Sequence, residues 1–128
     1  MSRTASRILT GTLAAGAVTA AALAGAPGAS AQQSSSLVLA PGAGACVQQY
    51  AAYQVRADGT ATNQGAKFKL LYNGTVIDST PFRVTGVAVE RRSAYGNFPG
   101  PGYYSFCAQN TGTANTIVTL RLRTDAEF

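Results

Sequence analysis

Ala66-Lys67-Phe68-Lys69-Leu70-Leu71-Tyr72, followed by Asn73-Gly74 and then Thr75-Val76-Ile77, is the stretch that decides the fold class. Phe68, Leu70 and Tyr72 recur with period two on one face while Lys67 and Lys69 occupy the other, the pattern of a half-buried β-strand. Asn73-Gly74 is the preferred pair for a type I′ hairpin turn, whose two central residues must both take positive φ. The chain therefore reverses into a second strand at Thr75.

The same period runs outward from this hairpin. From Thr116 to Thr124, Val118, Leu120 and Leu122 alternate with Thr119, Arg121 and Arg123. Phe82-Arg83-Val84 starts in one phase and Val87-Ala88-Val89 continues in the other, which predicts a bulge at Gly86. Residues 46–57 and 103–109 supply further strands, and Leu37-Val38-Leu39 a short first one. Turn signals stand at Asp58-Gly59, Asn63-Gln64-Gly65, 97–102 and 110–115. No segment beyond residue 31 has helical periodicity, and no internal repeat is visible. About seven short strands with this punctuation predict an all-β fold, an antiparallel two-sheet sandwich.

The N-terminal segment has a different character. Arg3 and Arg7 stand without an acid, the chain is uncharged from Ile8 to Ala26, and Ala29-Ser30-Ala31 offers small residues before Gln32. These are the three parts of a secretory signal peptide over residues 1–31. A retained membrane anchor is the alternative, opposed by a composition of Ala, Gly and Thr rather than Leu or Ile. That composition resembles small exported proteins of actinobacteria. Residues 32–36 read as a disordered polar leader, and 37–128 as one domain. After cleavage eight Lys and Arg face five Asp and Glu, a net charge of +3, mild enough to favour anionic partners without requiring one.

Cys46 and Cys107 are the two cysteines. In an exported chain a disulfide between them is the expectation, with free thiols as the alternative. One cysteine early and one late, the second within Tyr104-Ser105-Phe106-Cys107-Ala108-Gln109-Asn110-Thr111-Gly112 ahead of a final strand, resembles an immunoglobulin-like sandwich. The resemblance implies a bridge that spans the two sheets.

The chain contains no histidine, which removes the commonest general base and metal ligand. Bridged cysteines leave no thiol nucleophile. The acids are scattered, and Asp58 with Asp78 or Glu90 is the nearest approach to a catalytic carboxylate pair. Asn73-Gly74-Thr75 fits a glycosylation sequon, but the hairpin turn accounts for it. No catalytic residue, metal site or cofactor is predicted.

Two surfaces carry the expectation of binding. If Cys107 points inward, as the resemblance implies, Tyr104 and Phe106 point out of the same strand. Lys67, Lys69, Arg121 and Arg123 would then flank them on one basic–aromatic face, suited to a protein or to an anionic cell-surface polymer. The second surface is the 91–103 loop, which combines Arg91, Arg92 and Tyr95 with a Pro/Gly-stiffened tail. The resulting expectation is a small secreted, non-enzymatic binding protein with no membrane attachment after cleavage. An inhibitor of a secreted hydrolase and a wall-associated structural protein are the alternatives.

Overall fold

Period-two alternation settles into eight strands in the computed structural model, which describes residues 32–128. The signal peptide read over 1–31 lies outside the described residues. The strands are β1 (Gln32–Leu39), β2 (Gly44–Ala51), β3 (Gln54–Ala61), β4 (Lys67–Tyr72), β5 (Thr75–Ser79), β6 (Gly86–Arg92), β7 (Gly102–Gln109) and β8 (Thr116–Thr124). They form two antiparallel sheets, in the orders β1-β8-β3-β6 and β2-β7-β4-β5. Consecutive strands lie in opposite sheets, except β4 and β5, which form the hairpin at Asn73-Gly74. Both turn residues have positive φ, 47° and 86°. This strand order is that of a jelly-roll sandwich.

The core lies between the sheets. Val118, Leu120 and Leu122 of β8 face Phe68, Leu70 and Phe106 of the other sheet, all nearly inaccessible. Burying each such side chain contributes roughly 1.5–3 kcal/mol. The Phe68 and Phe106 rings stack with centroids 5.7 Å apart. Gly59 makes room for them, because a Cβ there would stand 2.6 Å from Phe68 Cε2 and 3.0 Å from Phe106 Cζ. Asp58-Gly59 is therefore the middle of β3, and its glycine serves close packing rather than the expected turn.

Three other expectations are corrected. Residues 32–36 are the first part of β1 rather than a leader. They pair with β8 from Gln32↔Arg123 onward, and Ser36 Oγ lies 3.2 Å from Thr119 Oγ1. The strand read over 46–57 is two strands, β2 and β3, in opposite sheets. The connection at Ala52-Tyr53 holds none of the usual turn residues, and Asp125 stabilises it from far along the chain. Its Oδ1 accepts from the backbone N–H groups of Ala52 (3.0 Å) and Tyr53 (2.9 Å). Gly86 opens β6 rather than forming a bulge. Residues 82–84 contribute only an Ala66↔Val84 bridge, and the register shift falls between Leu70 and Leu71.

The Cys46–Cys107 disulfide is formed. It joins residues directly opposite each other on the neighbouring strands β2 and β7, not residues of two sheets. Two strands of one sheet can be bridged only if both cysteines leave on the same face, and here that is the outer face. Tyr104, Phe106 and Ala108 consequently point into the core. The bridge spans 61 positions of sequence, worth roughly 4 kcal/mol as an upper figure in the chain-entropy model.

Candidate binding surface at the tyrosine-bearing end

The expected basic–aromatic face is not assembled. Lys67 and Lys69 stand on the outer face of the β2-β7-β4-β5 sheet, whereas Arg121 and Arg123 stand on the outer face of the other. Tyr104 and Phe106 lie between the sheets, buried. The arginines are also engaged. Arg123 Nη2 pairs with Asp58 at 3.0 Å, and Arg56 bridges Asp58 (2.9 Å) and Glu90 (2.8 Å). Glu90 also pairs with Arg92, and Arg121 donates to Gln32 Oε1 at 3.0 Å. Lys67 and Lys69 have no ion-pair partner among the described residues.

This network sets the state of its acids. Burial alone would raise the Asp58 pKa, but hydrogen bonds from Arg56 and Arg123, with their charges, outweigh it and hold the carboxyl below its ordinary value. Glu90 is also lowered, chiefly by its hydrogen bond from Arg92. Both stay ionised, the opposite of what a general acid requires. Asp78 belongs to the other sheet and pairs with Arg91 at 3.3 Å. Among the described residues no group of His, Cys, Asp or Glu is arranged to hold a metal ion, and no helix is long and apolar enough to cross a membrane.

The 91–103 loop is assembled, and held at several points. A 3-10 turn at Ser93–Tyr95 follows β6 and closes on Gly96, whose N–H donates to Ser93 O at 3.0 Å. Asn97 Oδ1 accepts from the Arg92 N–H at 2.8 Å, and Ser93 N–H donates to Tyr53 O at 2.9 Å. Farther on, the Tyr104 hydroxyl donates to Gly100 O (2.7 Å) and the Tyr72 hydroxyl to Pro101 O (3.1 Å). Asn73 Oδ1 accepts from Tyr103 N–H at 3.0 Å. Beneath the loop Phe98 stacks on Tyr104, which packs against Tyr72. Burial in this aromatic floor pushes the Tyr104 pKa up to about 12.

Above the floor the aromatic rings are open. Tyr95 is 65 % exposed, Tyr53 47 % and Tyr103 42 %. Arg92 lies over the Tyr95 ring at 5.4 Å and over Phe128 at 4.7 Å. Tyr103 meets Tyr50 edge-on at 5.4 Å. Of the predicted loop residues, Tyr95 and Arg92 belong to this surface, while Arg91 turns aside and donates to Ile77 O at 3.2 Å. Tyr103 closes the predicted loop, whereas Tyr50 and Tyr53 were not predicted. They come from the end of β2 and its connection to β3, and only the strand order carries them to the loop. Once that order is known the signal is plain, because all six tyrosines of the chain border loops at this one end.

A second concavity opens between the free edges of β5 and β6. It holds about 230 Å³, with Phe68, Leu70 and Phe106 at its floor and Val87, Val89 and Pro81 on its walls. Asp78, which also lines it, pairs with Arg91. No family model matches the chain, and no curated protein matches it.

Proposed function

We propose that this is an exported, non-enzymatic binding module that recognises another protein through the tyrosine-bearing end. The observation that carries the reading is the pairing of exposed Tyr53, Tyr95 and Tyr103 with a loop already fixed by backbone and hydroxyl hydrogen bonds. Tyrosine offers a large, stiff contact area with a polar tip, and is enriched where protein surfaces bind. A loop ordered before contact loses little entropy on association. Export is supported by the signal-like segment and the disulfide.

Inhibition of a secreted hydrolase is a specific version of the same reading. Arg91 and Arg92 are both engaged in ion pairs, so the exposed Tyr95, the last residue of the 3-10 turn, is the side chain such an inhibitor would offer to a cleft. An anionic polymer is less well supported, because four of the six residues of the expected face are buried or engaged and only Lys67 and Lys69 remain available.

The test immobilises the oxidised protein and a Tyr53→Ser/Tyr95→Ser/Tyr103→Ser variant, and exposes both to the secreted proteins and cell walls of the producing cells, at low and high salt. A protein held by the wild type and lost by the variant is the expected result. Salt-sensitive wall retention abolished instead by Lys67→Gln/Lys69→Gln would overturn the reading in favour of a polymer. Retention of nothing would overturn both.

A further inference from the structure

We propose that the Cys46–Cys107 bridge is a surface site for thiol–disulfide exchange, at which a small thiol attacks Cys46 and Lys69 assists departure of the Cys107 thiolate. The two sulfurs lie on the outer face of their sheet, and Cys46 is exposed on β2, the edge strand. Exchange requires the attacking thiolate to approach along the line of the S–S bond. The bridge runs across the strands, from β2 to its neighbour β7. Its extension beyond Cys46 passes over the free edge of the sheet, and its extension beyond Cys107 passes over β4. Access therefore favours Cys46 as the attacked atom.

The leaving group is favoured by what stands beside it. Lys69 is directly opposite Cys107 in the β4–β7 register, on the same face. It has no ion-pair partner among the described residues. The row on one side of the bridge is Gly44, Gln109 and Lys67, and on the other Gln48, Ser105 and Leu71. Neither row contains an acid. An ammonium group with no opposing carboxylate stabilises the thiolate that forms on Cys107 and lowers the barrier to its release.

In the first step an external thiolate forms a bond to Cys46 Sγ, the Cys46–Cys107 bond breaks, and its electron pair leaves on Cys107 Sγ. If the reagent is a dithiol, its second thiolate attacks the mixed disulfide at the reagent's own sulfur and releases Cys46. Two electrons then pass to the protein, both cysteines take up protons, and the dithiol becomes a disulfide. The fold does not have to open for this. Besides the bridge, β2 and β7 are joined by backbone pairing over eight register positions, and β4 supports β7 from its other side.

The experiment incubates the oxidised protein with glutathione as the monothiol, or dithiothreitol as the dithiol, without denaturant. Free thiols are trapped with iodoacetamide, and the modified peptides are located by mass spectrometry. Glutathione is expected on Cys46 and the alkyl group on Cys107. Lys69→Gln is expected to slow exchange several-fold at an unchanged melting temperature, and Lys67→Gln to slow it less, because Lys67 stands opposite Gln109. Exchange that occurs only in denaturant, glutathione on Cys107, or a rate indifferent to Lys69→Gln would each overturn the proposal.

Discussion

The two ends of the sandwich are fastened by similar bonds but left with different surfaces. At the end holding residues 40–43, 62–66 and 110–115, polar side chains hold the loops together and are consumed in doing so. Asn110 is fully buried. Its Nδ2 donates to Leu39 O and Ala114 O, both at 2.8 Å, and its Oδ1 accepts from Gly112 N–H at 2.9 Å. Gln64 Oε1 accepts from the Thr113 and Ala114 N–H groups, and Asn63 Nδ2 donates to Asn115 O. At the other end Asp125, Asn73, Asn97 and the Tyr72 and Tyr104 hydroxyls do the fastening, and the aromatic faces of Tyr53, Tyr95 and Tyr103 are left over. Both ends are ordered, so order alone does not mark a binding site. What differs is the chemistry that each still has available.

The closed end is expected to respond most strongly to substitution. Asn110→Ala leaves two carbonyls and an N–H without partners, and is expected to lower stability by about 3 kcal/mol in urea denaturation. Partner binding by the folded fraction should be unaffected. A loss of binding without a loss of stability would mean that the closed end is the functional one.

The next effect belongs to the aromatic floor. A tyrosine whose folded pKa is raised stabilises the protein fully below its unfolded value near 10, and that contribution disappears as pH climbs to about 12. A displacement of about two units corresponds to roughly 3 kcal/mol at most, at 1.36 kcal/mol per unit. Stability should therefore fall between pH 10 and 12, and Tyr104→Phe should remove that part of the fall. A Phe variant with an unchanged alkaline profile would show that Tyr104 is not held neutral by the fold.

Asp125→Ala tests the fastening from outside the loop. It frees the N–H groups of Ala52 and Tyr53, and a loss of about 1–2 kcal/mol is expected. Hydrogen exchange should quicken at 52–54 and leave 110–115 unchanged. The smallest stability effect is expected from the Tyr53→Ser/Tyr95→Ser/Tyr103→Ser variant, within about 0.5 kcal/mol for each exposed position. A large drop in its melting temperature would make those rings structural.

The sequence was legible where a local rule and the tertiary fold agreed. Phe68 and Leu70, the run from Val118 to Leu122, and the Asn73-Gly74 turn each follow from local geometry that the sandwich keeps. It was illegible where a distant group overruled local chemistry. The Ala52-Tyr53 turn depends on a carboxylate more than seventy residues away, and without it residues 46–57 read as one strand. Asp58-Gly59 has the composition of a turn, yet Gly59 is the space two phenylalanines need. The phase of β7 turned on which way Cys107 faces. With a bridge between neighbours in one sheet, Tyr104 and Phe106 move from the surface to the core. The tyrosine end was partly legible through the 91–103 loop, which holds Tyr95 and Tyr103, but Tyr53 joins it only through the jelly-roll strand order.

The most direct test of the central claim is hydrogen exchange along the whole chain, with and without the partner captured by the immobilised protein. Slowed exchange across 91–103 and 52–54, with 62–66 and 110–115 unchanged, is the result this account requires. Protection of the Asn110 end, or of the Lys67–Lys69 face, with the tyrosine end unaltered would contradict it.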